Sequence, residues 1–198
     1  MSNFQDLRRQ AARMLTNPLV PLISRLKLTP DMMTFTGIVL NLVAAVVIGF
    51  GCLLAGGIIF LLAGLFDLLD GALARYMEKT TRFGALLDST ADRITEGAIF
   101  LSLIFVTGVS VWPFNVTWEL VLIFLALIGS YLTSYIRARA EGLNIDCTVG
   151  LFTRVERVII LALGLLLSQV FIALAIVVVL SFVTVGQRLV YVWRQARK

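Results

Sequence analysis

Six stretches of roughly twenty apolar residues recur along this chain, near 31–53, 55–76, 84–110, 118–140, 151–168 and 170–192. Each has the length an α-helix needs to cross a hydrocarbon core about 30 Å thick. In that solvent every backbone N–H and C=O must find its partner inside the segment, so helices are predicted throughout. Composition agrees: 59% of residues are hydrophobic and 15% charged, against roughly a half and a quarter in a soluble domain. Between the third and fourth stretches, Pro113 breaks the helix and Trp112 and Trp118 suit a membrane interface. Ser168-Gln169 is a tight turn between the fifth and sixth.

The predicted architecture is an all-α integral membrane protein, one domain over 1–198 with six transmembrane helices in 30–193. An N-terminal amphipathic helix over 1–17 precedes them in the juxtamembrane interface: Phe4, Leu7, Ala11 and Met14 share one face, while Arg8, Arg9 and Arg13 lie elsewhere. The 17 Lys and Arg residues fall in the N-terminal stretch, the second-to-third connection, the fourth-to-fifth connection and the C-terminus, with Arg93 entering the third span from that same side. By the positive-inside rule both termini and any site at these ends face the cytoplasm of a cell membrane. The same placement explains the net charge of +5 by anionic headgroups, and nucleic acid is not an expected partner. Cys52 and Cys147 fall on opposite faces, so a disulfide is not expected. The chain has no histidine, which leaves carboxylates and basic groups to do any chemistry.

Such carboxylates are present where a lipid-facing helix should have none. Asp67 and Asp70, at i and i+3, share one helix face, as do Asp88 and Asp92 at i and i+4; Arg93 and Glu96 lie close by. A short basic hairpin is expected to hold the second and third spans side by side, so that all four aspartates converge. At about 5 Å and an effective dielectric near 20, each bare pair would repel by roughly 3 kcal/mol, which calls for protons or cations. Oxygen ligands without histidine favour Mg²⁺, with Mn²⁺ as its substitute, and four carboxylates suit two ions better than one. Two ions at a membrane surface fit displacement at phosphorus. A structural ion-pair network with Arg75, Arg82 and Arg93, or the transit site of a cation transporter, would use the same residues.

The full string separates these readings. Asp67-Leu68-Leu69-Asp70-Gly71-Ala72-Leu73-Ala74-Arg75, eight residues, then Gly84-Ala85-Leu86-Leu87-Asp88-Ser89-Thr90-Ala91-Asp92 resembles the signature of the CDP-alcohol phosphotransferases at every fixed position. The resemblance implies a metal-dependent membrane enzyme that builds phospholipids from a CDP-activated lipid. By similarity, Asp67, Asp70 and Asp88 would hold one ion and Asp88 with Asp92 a second, while Asp92 accepts the proton of the attacking hydroxyl. Gly71 and Gly84 would admit the nucleotide, Arg75 would meet its diphosphate, and Asp31, Thr34 and Thr81 would line the cytidine pocket.

Further positions narrow the acceptor. Ser134 to Gly142, Arg154-Val155-Glu156-Arg157 and Gln187-Arg188 are similar to the phosphatidylinositol phosphate synthases of actinobacteria. The resemblance implies CDP-diacylglycerol as donor and an inositol phosphate as acceptor, held by Ser134, Arg137, Arg157 and Arg188. Arg154, at the cytoplasmic end of the fifth span, is expected to join them. Arg137 stands where lysine is usual, and Thr153 and Val155 where Glu and Pro are usual. Independently, so many arginines near the ends of three spans fit a phosphorylated acceptor better than an uncharged alcohol. Glycerol 3-phosphate is the alternative acceptor. A homodimer is expected from the family and from glycine-containing faces on the third and fourth spans.

Overall fold

The computed structural model describes residues 16, 20, 30–77, 81–106 and 118–197. The expected interfacial helix over 1–17, apart from Thr16, and the Trp112-Pro113 connection lie outside the described residues. Among the described residues six long helices follow in chain order: α1 Pro30–Gly49, α2 Leu53–Tyr76, α3 Arg82–Val106, α4 Trp118–Glu141, α5 Arg154–Leu166 and α6 Val170–Gln195.

The chain is a multi-pass helical membrane protein, with one correction to the predicted spans. Four helices, α1, α2, α4 and α6, are long and apolar enough to cross a bilayer on their own. α3 has the length at 25 residues, but its stretch 82–96 carries Arg82, Asp88, Asp92, Arg93 and Glu96. α5 has 13 residues, about 20 Å of helix, short of the hydrocarbon thickness. Its start is fixed late by a capping box, in which the Thr153 hydroxyl and backbone N–H both meet Glu156. Residues 151–153, predicted as the first part of this span, are therefore outside the helix.

Helix α1 packs along both α2 and α3, α5 closes on α2 and α6, and α4 lies along α6. Small residues on α2 allow the approach of α5: a Cβ on Gly57 would sit 3.0 Å from Leu165 and one on Gly64 2.9 Å from Val158. The main core, including Ile48, Phe60, Phe100, Leu165 and Leu174, joins α1 to α6. A smaller cluster of Val20, Met33, Leu69 and Leu73 lies beside the acidic end of α2.

The packing corrects a second expectation. Among the described residues α2 and α3 scarcely touch; each leans on α1 instead. Their acidic faces therefore look at each other across a gap.

Candidate metal and phosphate site

The i, i+3 spacing on α2 brings Asp67 and Asp70 to the gap, and Asp88 reaches it from α3. These three carboxylates each offer an oxygen within 4.8 Å of the others. Asp70 is buried, with Thr34 of α1 and the Gly71 amide within hydrogen-bonding reach. Among the described residues its Oδ2 has no hydrogen-bond partner. A buried carboxylate oxygen of this kind, beside two further carboxylates, fits a divalent cation.

Asp92 stands apart from that trio because arginines engage both of its oxygens. Arg154 Nη1 lies 2.7 Å from Oδ1, and Arg93 Nη1 lies 3.5 Å from Oδ2. The same Arg154 nitrogen pairs with Asp67 Oδ2, so one guanidinium from α5 bridges α2 and α3. Arg154, expected at the acceptor, thus lies among the carboxylates.

One turn further along α3, Glu96 receives Arg157: Nε and Nη2 donate to its two oxygens at 2.7 and 3.2 Å, and Nη1 reaches the Thr133 hydroxyl at 3.2 Å. Arg157 is 2% exposed. Arg188 is also buried and donates to the Thr133 carbonyl and, at 2.9 Å, to the Val149 carbonyl. Arg157 and Arg188 therefore meet at Thr133, beside the half-buried Ser134. Arg137, one turn beyond Thr133 on α4, is exposed and pairs with Glu141 at 2.9 Å. Below the polar layer, Asn41, Thr95, Glu96 and Arg154 line a cavity of about 10 Å³, no larger than a single water requires.

Of the residues expected at the nucleotide, Gly71 and Arg75 lie in the last turns of α2, and Thr81 and Gly84 at the start of α3. The Arg75 guanidinium lies over Gly71, 3.5 Å from where a Cβ would be. Thr81 caps α3, its hydroxyl accepting from the Gly84 N–H at 2.9 Å; a Cβ on Gly84 would meet that oxygen at 2.9 Å. Asp31 lies in the first turn of α1, and its side chain is outside the described residues. Sequence reasoning noted Glu96 without giving it a role and missed Thr133. The signal for Glu96 was available, since an ionisable group at that depth requires a partner; Thr133 carried none.

A helical membrane protein whose facing helices present a divalent-metal carboxylate site beside several guanidinium groups is built to handle phosphates. Residues 27–186 match the CDP-alcohol phosphatidyltransferase family, and the chain belongs to it and is an enzyme of that class. This membership sets aside the cation-transit reading of the aspartates. An archaetidylinositol phosphate synthase of Methanothermobacter thermautotrophicus is 36% identical over 183 residues, covering 89% of each chain. A phosphatidylinositol phosphate synthase of Mycobacteroides abscessus is 37% identical over 191 residues, covering 92% of this chain and 86% of that one. Among solved structures, the phosphatidylinositol phosphate synthase of Mycobacterium tuberculosis with CDP-DAG bound superposes with a TM-score of 0.76 at 34% identity, covering 90% of this chain and 93% of that one. The same enzyme in complex with manganese and citrate gives a TM-score of 0.76 at 34% identity, covering 90% and 88%.

The glycines that suggested a homodimer have other uses. A Cβ on Gly97 of α3 would lie 2.8 Å from the Tyr131 hydroxyl, and one on Gly129 of α4 would lie 2.9 Å from Ser181 Cβ. Both small faces are filled within the protomer.

Proposed function

We propose that this chain transfers the phosphatidyl group of CDP-diacylglycerol to an inositol phosphate, giving phosphatidylinositol phosphate and CMP. The observation that carries this reading is the juxtaposition of two polar clusters on successive turns of α3. Asp88 faces Asp67 and Asp70 with Asp92 one turn on, and Glu96 gathers Arg157 near Arg188. The first cluster suits a diphosphate with its cations, the second a phosphorylated acceptor.

Two divalent ions, Mg²⁺ or Mn²⁺, are proposed on Asp67, Asp70, Asp88 and Asp92; when bound they neutralise the diphosphate and stabilise the leaving cytidylate oxygen. Arg75 meets the diphosphate above Gly71, while Asp31, Thr34, Thr81 and Gly84 border the nucleotide. Ser134, Arg137, Arg154, Arg157 and Arg188 serve the acceptor phosphate, which fixes the inositol ring with a hydroxyl toward Asp92. Asp92 takes that proton as the hydroxyl oxygen attacks the lipid-bearing phosphorus, and the bond to CMP breaks. The site and both termini face the cytoplasm, where these charged substrates are found. A homodimer embedded in membrane lipid belongs to the same proposal, and chemical crosslinking in mild detergent that gave monomer alone would oppose it.

Relatives named for phosphatidyl and for archaetidyl lipids share the inositol phosphate part of their names, which favours the acceptor over the donor tail as the fixed feature. Membranes containing the protein, given CDP-diacylglycerol and each acceptor in turn, test the assignment. CMP release is expected with inositol phosphate; release with glycerol 3-phosphate alone would give the acceptor to the alternative.

A further inference from the structure

Arg154 makes ion pairs with two residues of the carboxylate signature, and its position has consequences for metal loading. Its side chain retains 22% of its exposure, and one nitrogen joins Asp67 to Asp92. Arg93 approaches the other Asp92 oxygen at the longer distance of 3.5 Å, with a side chain that is 33% exposed. Asp67, Asp70 and Asp88 are already close enough to share an ion, with Asp67 Oδ2 at the same time meeting Arg154, whereas both oxygens of Asp92 face arginines.

We propose that Arg154 is a resident cation of the site, competing with the second divalent ion for Asp92 and making metal loading sequential. The first ion enters the trio with the latch in place. The second requires the guanidinium to release Asp92, and release sends it toward Arg157 and the acceptor side. The observed ion pair and the acceptor contact assigned to Arg154 are then two states of one residue. Without the second ion, α5 stays tied to α2 and α3 and the positive charge on Asp92 is supplied internally. This proposal rests on the two-ion reading above.

Mn²⁺ binding to the purified full-length protein, followed by the electron paramagnetic resonance of free Mn²⁺, tests this without reference to activity. Wild type should show one tight and one weak ion. Arg154→Gln removes the charge-assisted contacts and should tighten the second ion by about ten-fold or more, with a smaller change in the first. Arg93→Gln removes a charge from the same carboxylate but no hold on Asp67, and should shift the second ion by less than about three-fold. Equal shifts in the two variants, or an unchanged second ion in Arg154→Gln, would overturn the latch. A wild type that binds no Mn²⁺ would instead remove the metal reading beneath it. Should Arg154→Gln fail to fold, Arg154→Lys, which lacks the fork, is expected to tighten the second ion by a smaller factor, and a wild-type constant there would also overturn the proposal.

Discussion

Breaking the Glu96–Arg157 pair should destabilise the protein far more than removing both partners together. Arg157 is 2% exposed and engages both Glu96 oxygens as well as the Thr133 hydroxyl. Glu96→Leu leaves a buried guanidinium without this counter-charge, and Arg157→Met strands the carboxylate. Each should cost about 3–5 kcal/mol, because the survivor keeps its desolvation penalty and loses its attraction. The double variant removes both charges and should cost less than about 2 kcal/mol, so the cycle closes with a coupling of several kcal/mol. Reversible unfolding by SDS in mixed micelles, followed by helical circular dichroism, measures all four corners. Single variants costing under about 1 kcal/mol, or a double equal to their sum, would refute the reasoning. The double variant also isolates chemistry from folding. If Arg157 serves the acceptor, it should regain stability while the KM for inositol phosphate stays raised about ten-fold or more and that for the donor is little changed.

Asp92→Asn should abolish turnover and leave CDP-diacylglycerol binding largely intact by calorimetry, since Asp67, Asp70 and Asp88 still form the trio; near-normal turnover would remove Asp92 from the role of base. Gly150→Ala should loosen the connection between α4 and α5, because φ there is +136° and a Cβ would lie 2.7 Å from Thr184 and 3.2 Å from Arg188. The expected cost is about 1–3 kcal/mol, with faster limited proteolysis of residues 142–153; an unchanged proteolysis rate would count against the strain. A membrane-impermeant maleimide should label exposed Cys52 from outside intact cells, while Cys147, buried and with its thiol pushed up by burial, stays unlabelled until unfolding. Cys52 labelling that requires broken cells would reverse the topology.

The aspartate site was legible because its information is local. Asp67 with Asp70 and Asp88 with Asp92 are each placed by helical periodicity, and α1 to α6 follow from the lengths of the apolar runs. What escaped depends on contacts distant in sequence. Glu96 and Arg157 are 61 residues apart, and Arg154 is 87 residues from Asp67, so nothing in the local pattern says which arginine a given carboxylate takes. The separation of α2 from α3 escaped for the same reason: a short connection limits how far two helices can part but does not say that α1 will pack against both. The late start of α5 is different. Thr153 and Glu156 form a capping box with a recognisable sequence pattern, which a span drawn from residue 151 on apolar length alone does not use.

The most direct test is product analysis with the purified protein in liposomes, supplied with CDP-diacylglycerol, Mg²⁺ and inositol phosphate. Mass spectrometry should find phosphatidylinositol phosphate and CMP in equal amounts, with both lost on chelation and in Asp70→Asn, which alters a buried carboxylate oxygen that has no other partner among the described residues. Product formation that survives chelation, or CMP appearing without the inositol lipid, would contradict the account.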